Sequence, residues 1–132
     1  MFKYFFETFV LQLKIIIFFY IKGTLIMAYV ISKQTLMQKL DFNEEDLTLI
    51  FKVFVKTSQD ILKKLALAIE ENDYKCIQAC ANDLKGSSGN LLLDDVYMIS
   101  KEIESASKVE DSIDYTSYYE QLDIIFSTLT LE

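Results

Sequence analysis

From residue 43 onward, apolar residues recur at spacings of three and four, a period that predicts helices and not strands. The first long stripe reads Leu47, Ile50, Phe51, Phe54, Ser58, Ile61, Leu65 and Ile69, about six helical turns. Asn43 precedes it as a cap, and Glu44, Glu45 and Asp46 suit the positive end of the helix dipole. Asn72-Asp73 ends the stripe, with Asp73 placed to cap a second helix starting near Tyr74. That helix carries Ile77, Cys80, Ala81, Leu84 and Leu91, with Ser88 in the same arc. A third starts at Asp94-Asp95 and shows Val96, Ile99, Ile103 and Ala106. Lys108 to Ser112 is a polar connection. The fourth runs from about Ile113 through Tyr115, Tyr118, Tyr119, Leu122, Ile125, Phe126 and Leu129, its aromatic positions reading as core. A short leading helix fits Lys33 to Leu40.

Four amphipathic helices with short links can bury their stripes only against one another. The expected fold is therefore all-α, an antiparallel four-helix bundle over residues 32–131. The scarcity of breakers agrees with this: the chain has no proline and three glycines, Gly23, Gly86 and Gly89.

Residues 1–26 form a separate apolar segment, expected to be helical, that includes Phe5-Phe6, Phe9-Val10-Leu11 and Ile15 to Ile21. Three readings compete. A membrane helix needs about 20 mostly apolar residues, and Gln12, Lys14 and Lys22 interrupt this run. A cleaved leader needs small residues after the apolar run, and Gly23 to Ala28 supplies a poor site. The reading favoured is that translation starts at Met27, just before the amphipathic domain. The chain is expected to be cytoplasmic, and membrane-associated only if residues 1–26 are part of the protein and insert.

Charge narrows the partners. The net charge is −7, and residues 1–26, with Lys3, Lys14 and Lys22 against Glu7, are positive, so the rest is more acidic still. An acidic body without a single arginine repels phosphate backbones, which argues against nucleic acid. The chain has no histidine, so a four-ligand zinc site is hard to assemble from Cys76 and Cys80. Four apart on a helix, those cysteines sit too far apart for a disulfide and read as buried thiols. No metal or cofactor is expected. The Ser87-Ser88 pair lacks a histidine base, so the chain is not expected to be an enzyme.

The segment Cys80-Ala81-Asn82-Asp83-Leu84-Lys85-Gly86-Ser87-Ser88-Gly89-Asn90-Leu91 carries the most information. On propensity, Gly86-Ser87-Ser88-Gly89 should end the helix, because each interior glycine costs about 1 kcal/mol. A phosphate-cradling loop is a poor fit, since the spacing between the glycines and the Gly-Lys-Ser/Thr that should follow them are both wrong. If the helix continues, about 100° per residue puts Lys75, Gln78, Asn82, Lys85, Gly86 and Gly89 on one side. Ile77, Leu84 and Leu91 then fall opposite. Asn82 would point away from the core, on a bare, weakly basic strip suited to an acidic protein pocket.

This segment resembles the signature of histidine-phosphotransfer (HPt) domains of bacterial phosphorelays, His-x-x-Lys-Gly-Ser followed by a small residue and an Asn-Leu or similar. The resemblance extends over most of residues 32–131 and implies a four-helix bundle. It places the family's phospho-accepting histidine at position 82, occupied here by Asn82. It assigns Lys85 to stabilising the phosphoryl group and Gly86 and Gly89 to a flat surface for a receiver domain, with the preceding helix supplying the rest of the docking face. Lys75 and Gln78 join the docking strip by their place on the helical wheel. The implied partner is the receiver domain of a response regulator or a hybrid histidine kinase. An amide nitrogen, its lone pair delocalised into the carbonyl, cannot replace an imidazole as nucleophile. Asn82 does keep roughly the size and one hydrogen-bonding edge of an imidazole. The expectation is a module that docks receivers without transferring phosphoryl groups. Two alternatives stay open: a competent phosphotransfer protein whose histidine has been substituted, and a structural interaction bundle outside phosphorelays.

Overall fold

The computed structural model describes residues 29–132. Five helices follow one another: α1 (Lys33–Leu40), α2 (Glu44–Glu70), α3 (Tyr74–Asn90), α4 (Asp94–Lys108) and α5 (Tyr115–Thr128). A two-residue strand flanks them at each end, β1 (Val30–Ile31) and β2 (Thr130–Leu131). The links between α2 and α5 are short, so neighbouring helices run antiparallel. α2 packs on α3 and α5, and α4 packs on α3 and α5, which closes the four into a ring. α3 and α4 share the most extensive contact. The architecture is the all-α bundle that the apolar period implies.

The stripes become the core. Leu47, Leu65, Ile77, Leu84, Val96, Ile103, Leu122 and Ile125 are almost wholly removed from solvent. Each such aliphatic side chain contributes about 1.5–3 kcal/mol by burial. Phe54 and Phe126 stack obliquely across α2 and α5, ring centres 5.6 Å apart. That contact fixes the level at which the two helices meet.

The helix ends follow local chemistry. Asn43 accepts from the Asp46 amide, Asp73 from that of Cys76 and Asp114 from that of Ser117. Such caps contribute about 1 kcal/mol each. The cap at Asp114 also explains why α5 starts at Tyr115 and not at Ile113, as the apolar pattern suggests. α2, α3 and α4 close alike: the amides of Asp73, Leu93 and Asp111 donate back to the carbonyls of Ala68, Ser88 and Ala106. The residue before each donor is left-handed, Asn72 at φ 53°, Leu92 at 58° and Glu110 at 55°. None is glycine, so each turn carries strain that Leu92, with no polar side chain to compensate, bears most fully.

The strands tie the two ends of the described chain together. β1 and β2 pair in parallel, Val30 opposite Thr130 and Ile31 opposite Leu131. The Thr130 and Glu132 amides donate to the carbonyls of Tyr29 and Ile31, both at 3.0 Å. The Tyr29 hydroxyl donates to Asp95 at 2.7 Å, securing the segment to the start of α4. Among the described residues no helix is long and apolar enough to cross a membrane. The expectations for residues 1–26 lie outside the described residues.

Candidate functional site

α3 does not stop at Gly86; it runs unbroken to Asn90, against the local propensity of Gly86-Ser87-Ser88-Gly89. Two features hold it. Ser87 Oγ donates to the carbonyls of Asp83 and Leu84, and Ser88 Oγ to that of Lys85, so both hydroxyls bond back along the helix. Leu84 and Ser88 are also fully buried on the inner side, which commits this turn to packing. Tertiary contact thus outweighs the roughly 1 kcal/mol per glycine.

The helix then divides by side. Ile77, Cys80, Ala81, Leu84 and Ser88 face the core. Lys75, Asn82, Gly86 and Gly89 are exposed, and Gln78 and Lys85 half-buried. These six positions form one strip along α3, about 21 Å from end to end at the helical rise.

The two glycines differ in what surrounds them. Both have ordinary helical backbone, so neither is there for a left-handed turn. A Cβ built on Gly86 would meet nothing within 4 Å. One built on Gly89 would touch the Tyr97 ring of α4 at 3.4 and 3.6 Å. Gly89 thus lies beside Tyr97 at ordinary van der Waals distance and Gly86 faces open space, so the fold calls for glycine at neither position.

Lys85 does not reach out toward solvent beside Asn82. Its ammonium sits 2.9 Å from Oε2 of Glu104 on α4 and donates to Oε1 at 3.1 Å. Both side chains are only about a quarter exposed, 25% and 22%. The charge that the resemblance places beside position 82 is thereby engaged by a carboxylate from the neighbouring helix. Sequence reasoning missed both Glu104 and Tyr97. Each lies at the edge of α4's apolar stripe, and only the packing of α4 on α3 brings it to the strip.

The thiols have no part in this strip. Burial pushes the Cys80 thiol up to about 12, assisted by Cys76 and Asp83 and opposed by Lys64. A thiol so held is protonated at neutral pH and a poor nucleophile. Among the described residues no group of three or more metal-ligating side chains comes together.

A closed helical bundle that carries a glycine-bared strip along one long helix defines the class, an all-α module. The family model for the Hpt domain matches residues 49–128, from the first turns of α2 to the end of α5 and more than half of the chain. The chain belongs to the Hpt domain family and is a phosphorelay module at that level. Comparison with curated proteins and with solved structures returned no match.

Proposed function

We propose that this chain docks receiver domains of phosphorelay proteins through the outer strip of α3 and does not carry a phosphoryl group. The observation that supports this most is Gly86. Glycine inside a helix is unfavourable by about 1 kcal/mol relative to alanine. Neither its backbone angles nor any neighbour within 4 Å asks for it. A residue kept small where the fold leaves open space fits the close approach of another molecule. The chain also has no histidine, and the exposed side chain one turn earlier is the Asn82 amide.

In this reading Asn82 is a contact residue and not a phosphoryl acceptor. Transfer from a receiver would need a nitrogen lone pair to form an N–P bond as the P–O bond to the receiver's aspartate breaks. An amide offers no such lone pair. The module would then occupy receivers and compete with phosphotransfer domains that do carry histidine.

The test uses the whole chain and its Asn82→His variant against the receiver domains encoded in the same genome. Both forms should bind the same receiver with similar affinity. On incubation with that receiver in its phosphorylated form, only the histidine variant should acquire labelled phosphate, in an acid-labile bond. Label on the wild-type chain, or binding of no receiver at all, would contradict the proposal.

A further inference from the structure

We infer that Glu104 makes this surface nearly indifferent to the phosphorylation state of a receiver, by engaging the Lys85 ammonium that would otherwise face a phosphoryl group beside Asn82. The inference rests on the docking reading above. It starts from two side chains on different helices, Lys85 on α3 and Glu104 on α4, whose charged ends meet at 2.9 and 3.1 Å. Lys85 lies one turn from Asn82, the position at which a docked receiver's phosphorylatable aspartate would approach. An unengaged ammonium there would favour a receiver carrying a dianionic phosphoryl group over a bare one. The pair removes most of that preference.

The energetics set the size of the effect. To meet a phosphoryl group, Lys85 must leave Glu104. The carboxylate, about a quarter exposed, would then be left with its charge partly desolvated and unpaired. Loss of one charge-assisted contact at such a site corresponds to about a fivefold to tenfold change in an equilibrium. The other lysine on the strip, Lys75, sits about 10 Å from Asn82 along the helix, on the side away from Lys85, and Asp83 adjoins Asn82 in the chain with opposite charge. The strip beside Asn82 therefore offers little net attraction for a phosphoryl group while the pair is intact. Docking should be nearly indifferent to receiver phosphorylation, which suits a competitor that holds receivers in either state.

The experiment measures affinity of the full chain for the receiver panel, each receiver bare and with beryllofluoride and magnesium as the phosphoryl mimic. Three chains are compared: wild type, Glu104→Gln and Glu104→Gln/Lys85→Gln. The expected ratio of affinities between the two receiver states is within about threefold for the wild type. It rises by about fivefold to tenfold in favour of the mimic in Glu104→Gln and falls back in the double variant. The ratio, and not either affinity alone, is the readout, because loss of stability moves both states together. A wild type that already prefers the mimic more than tenfold overturns the inference. So does a ratio unmoved by Glu104→Gln, or one that stays raised in the double variant; in all three cases docking itself still stands. A panel in which no receiver binds any of the three chains overturns the docking reading, and this inference with it.

Discussion

The inner and outer sides of α3 are made of the same helix but obey different rules. On the inner side every position is explained by its neighbours: Ile77, Ala81, Leu84 and Ser88 are buried against the other helices. On the outer side the fold explains much less. Gly86 has nothing near it, and Asn82 is exposed. Where intramolecular packing accounts for a residue, stability is sufficient reason for it. Where packing does not, and the residue is costly to the helix, the reason is to be sought outside the chain.

Substitutions along α3 can break that contrast. The largest effect is expected from Leu84→Ala, which removes fully buried methyl groups and leaves a cavity. It should cost about 2–5 kcal/mol in urea denaturation, whereas Asn82→Ala should stay within about 0.5 kcal/mol. Comparable losses from the two would erase the distinction between the sides.

Gly86 gives a sharper test because its two readouts should move in opposite directions. Gly86→Ala should raise the unfolding free energy by about 0.5–1 kcal/mol, since alanine favours the helix and its methyl meets only open space. The larger Gly86→Leu should weaken receiver binding by more than about tenfold without unfolding the bundle. If Gly86→Ala destabilised the protein, glycine would be serving the fold after all. Lys85→Met should have a smaller effect, about 1 kcal/mol of stability, because it strands the Glu104 carboxylate at the α3–α4 boundary. Thermal melts of Lys85→Met and of Lys85→Met/Glu104→Met would separate the stranded charge from lost packing.

The smallest effect concerns pH, through Cys80 on the inner side of α3 and Tyr118 on α5. Burial raises the Cys80 thiol, and burial together with a hydrogen bond to Glu102 raises the Tyr118 phenol, each to about 12. Both groups are held neutral by the fold. Their contribution is therefore complete below the ordinary thiol and phenol ranges, about 8.5 and 10. It is lost as pH climbs from those values toward 12. The urea midpoint should fall above about pH 9, and in Cys80→Ala the fall should begin nearer the phenol range. An unchanged onset in that variant would remove Cys80 from the account.

Most of the bundle was legible because burial leaves a period in the sequence. Leu47 through Leu65, Ile77 through Leu84, and Val96 through Ile103 mark their helices by spacing alone. Asn43 and Asp73 mark the starts by side-chain chemistry, as the structure bears out. The passage of α3 through Gly86 to Asn90 was not legible from propensity. It depends on Leu84 and Ser88 finding a partner surface that no local window contains. The left-handed turns at Leu92 and Glu110 escaped for a related reason: the expected marker is glycine or asparagine, and here only Asn72 conforms. The outer strip could be drawn on a helical wheel, so Lys75, Gln78, Asn82, Lys85, Gly86 and Gly89 fall on one side as expected. The company they keep could not. Glu104 and Tyr97 come from another helix, and the register between two helices leaves no trace in either one alone.

The short parallel pair of β1 and β2 has a consequence for the order in which this chain assembles. It pairs residues 100 positions apart, Val30 with Thr130 and Ile31 with Leu131, so its hydrogen bonds close nearly the whole described chain into a loop. Two paired residues cannot repay the entropy of that closure until the helices have already brought the ends together. The pair should therefore zip last and open first. Weakening it, for example by Thr130→Pro, which removes the amide that donates to Tyr29, should speed unfolding in stopped-flow denaturant jumps and leave the refolding rate nearly unchanged. The clasp would then be a determinant of how long the native bundle survives, and not of how fast it forms.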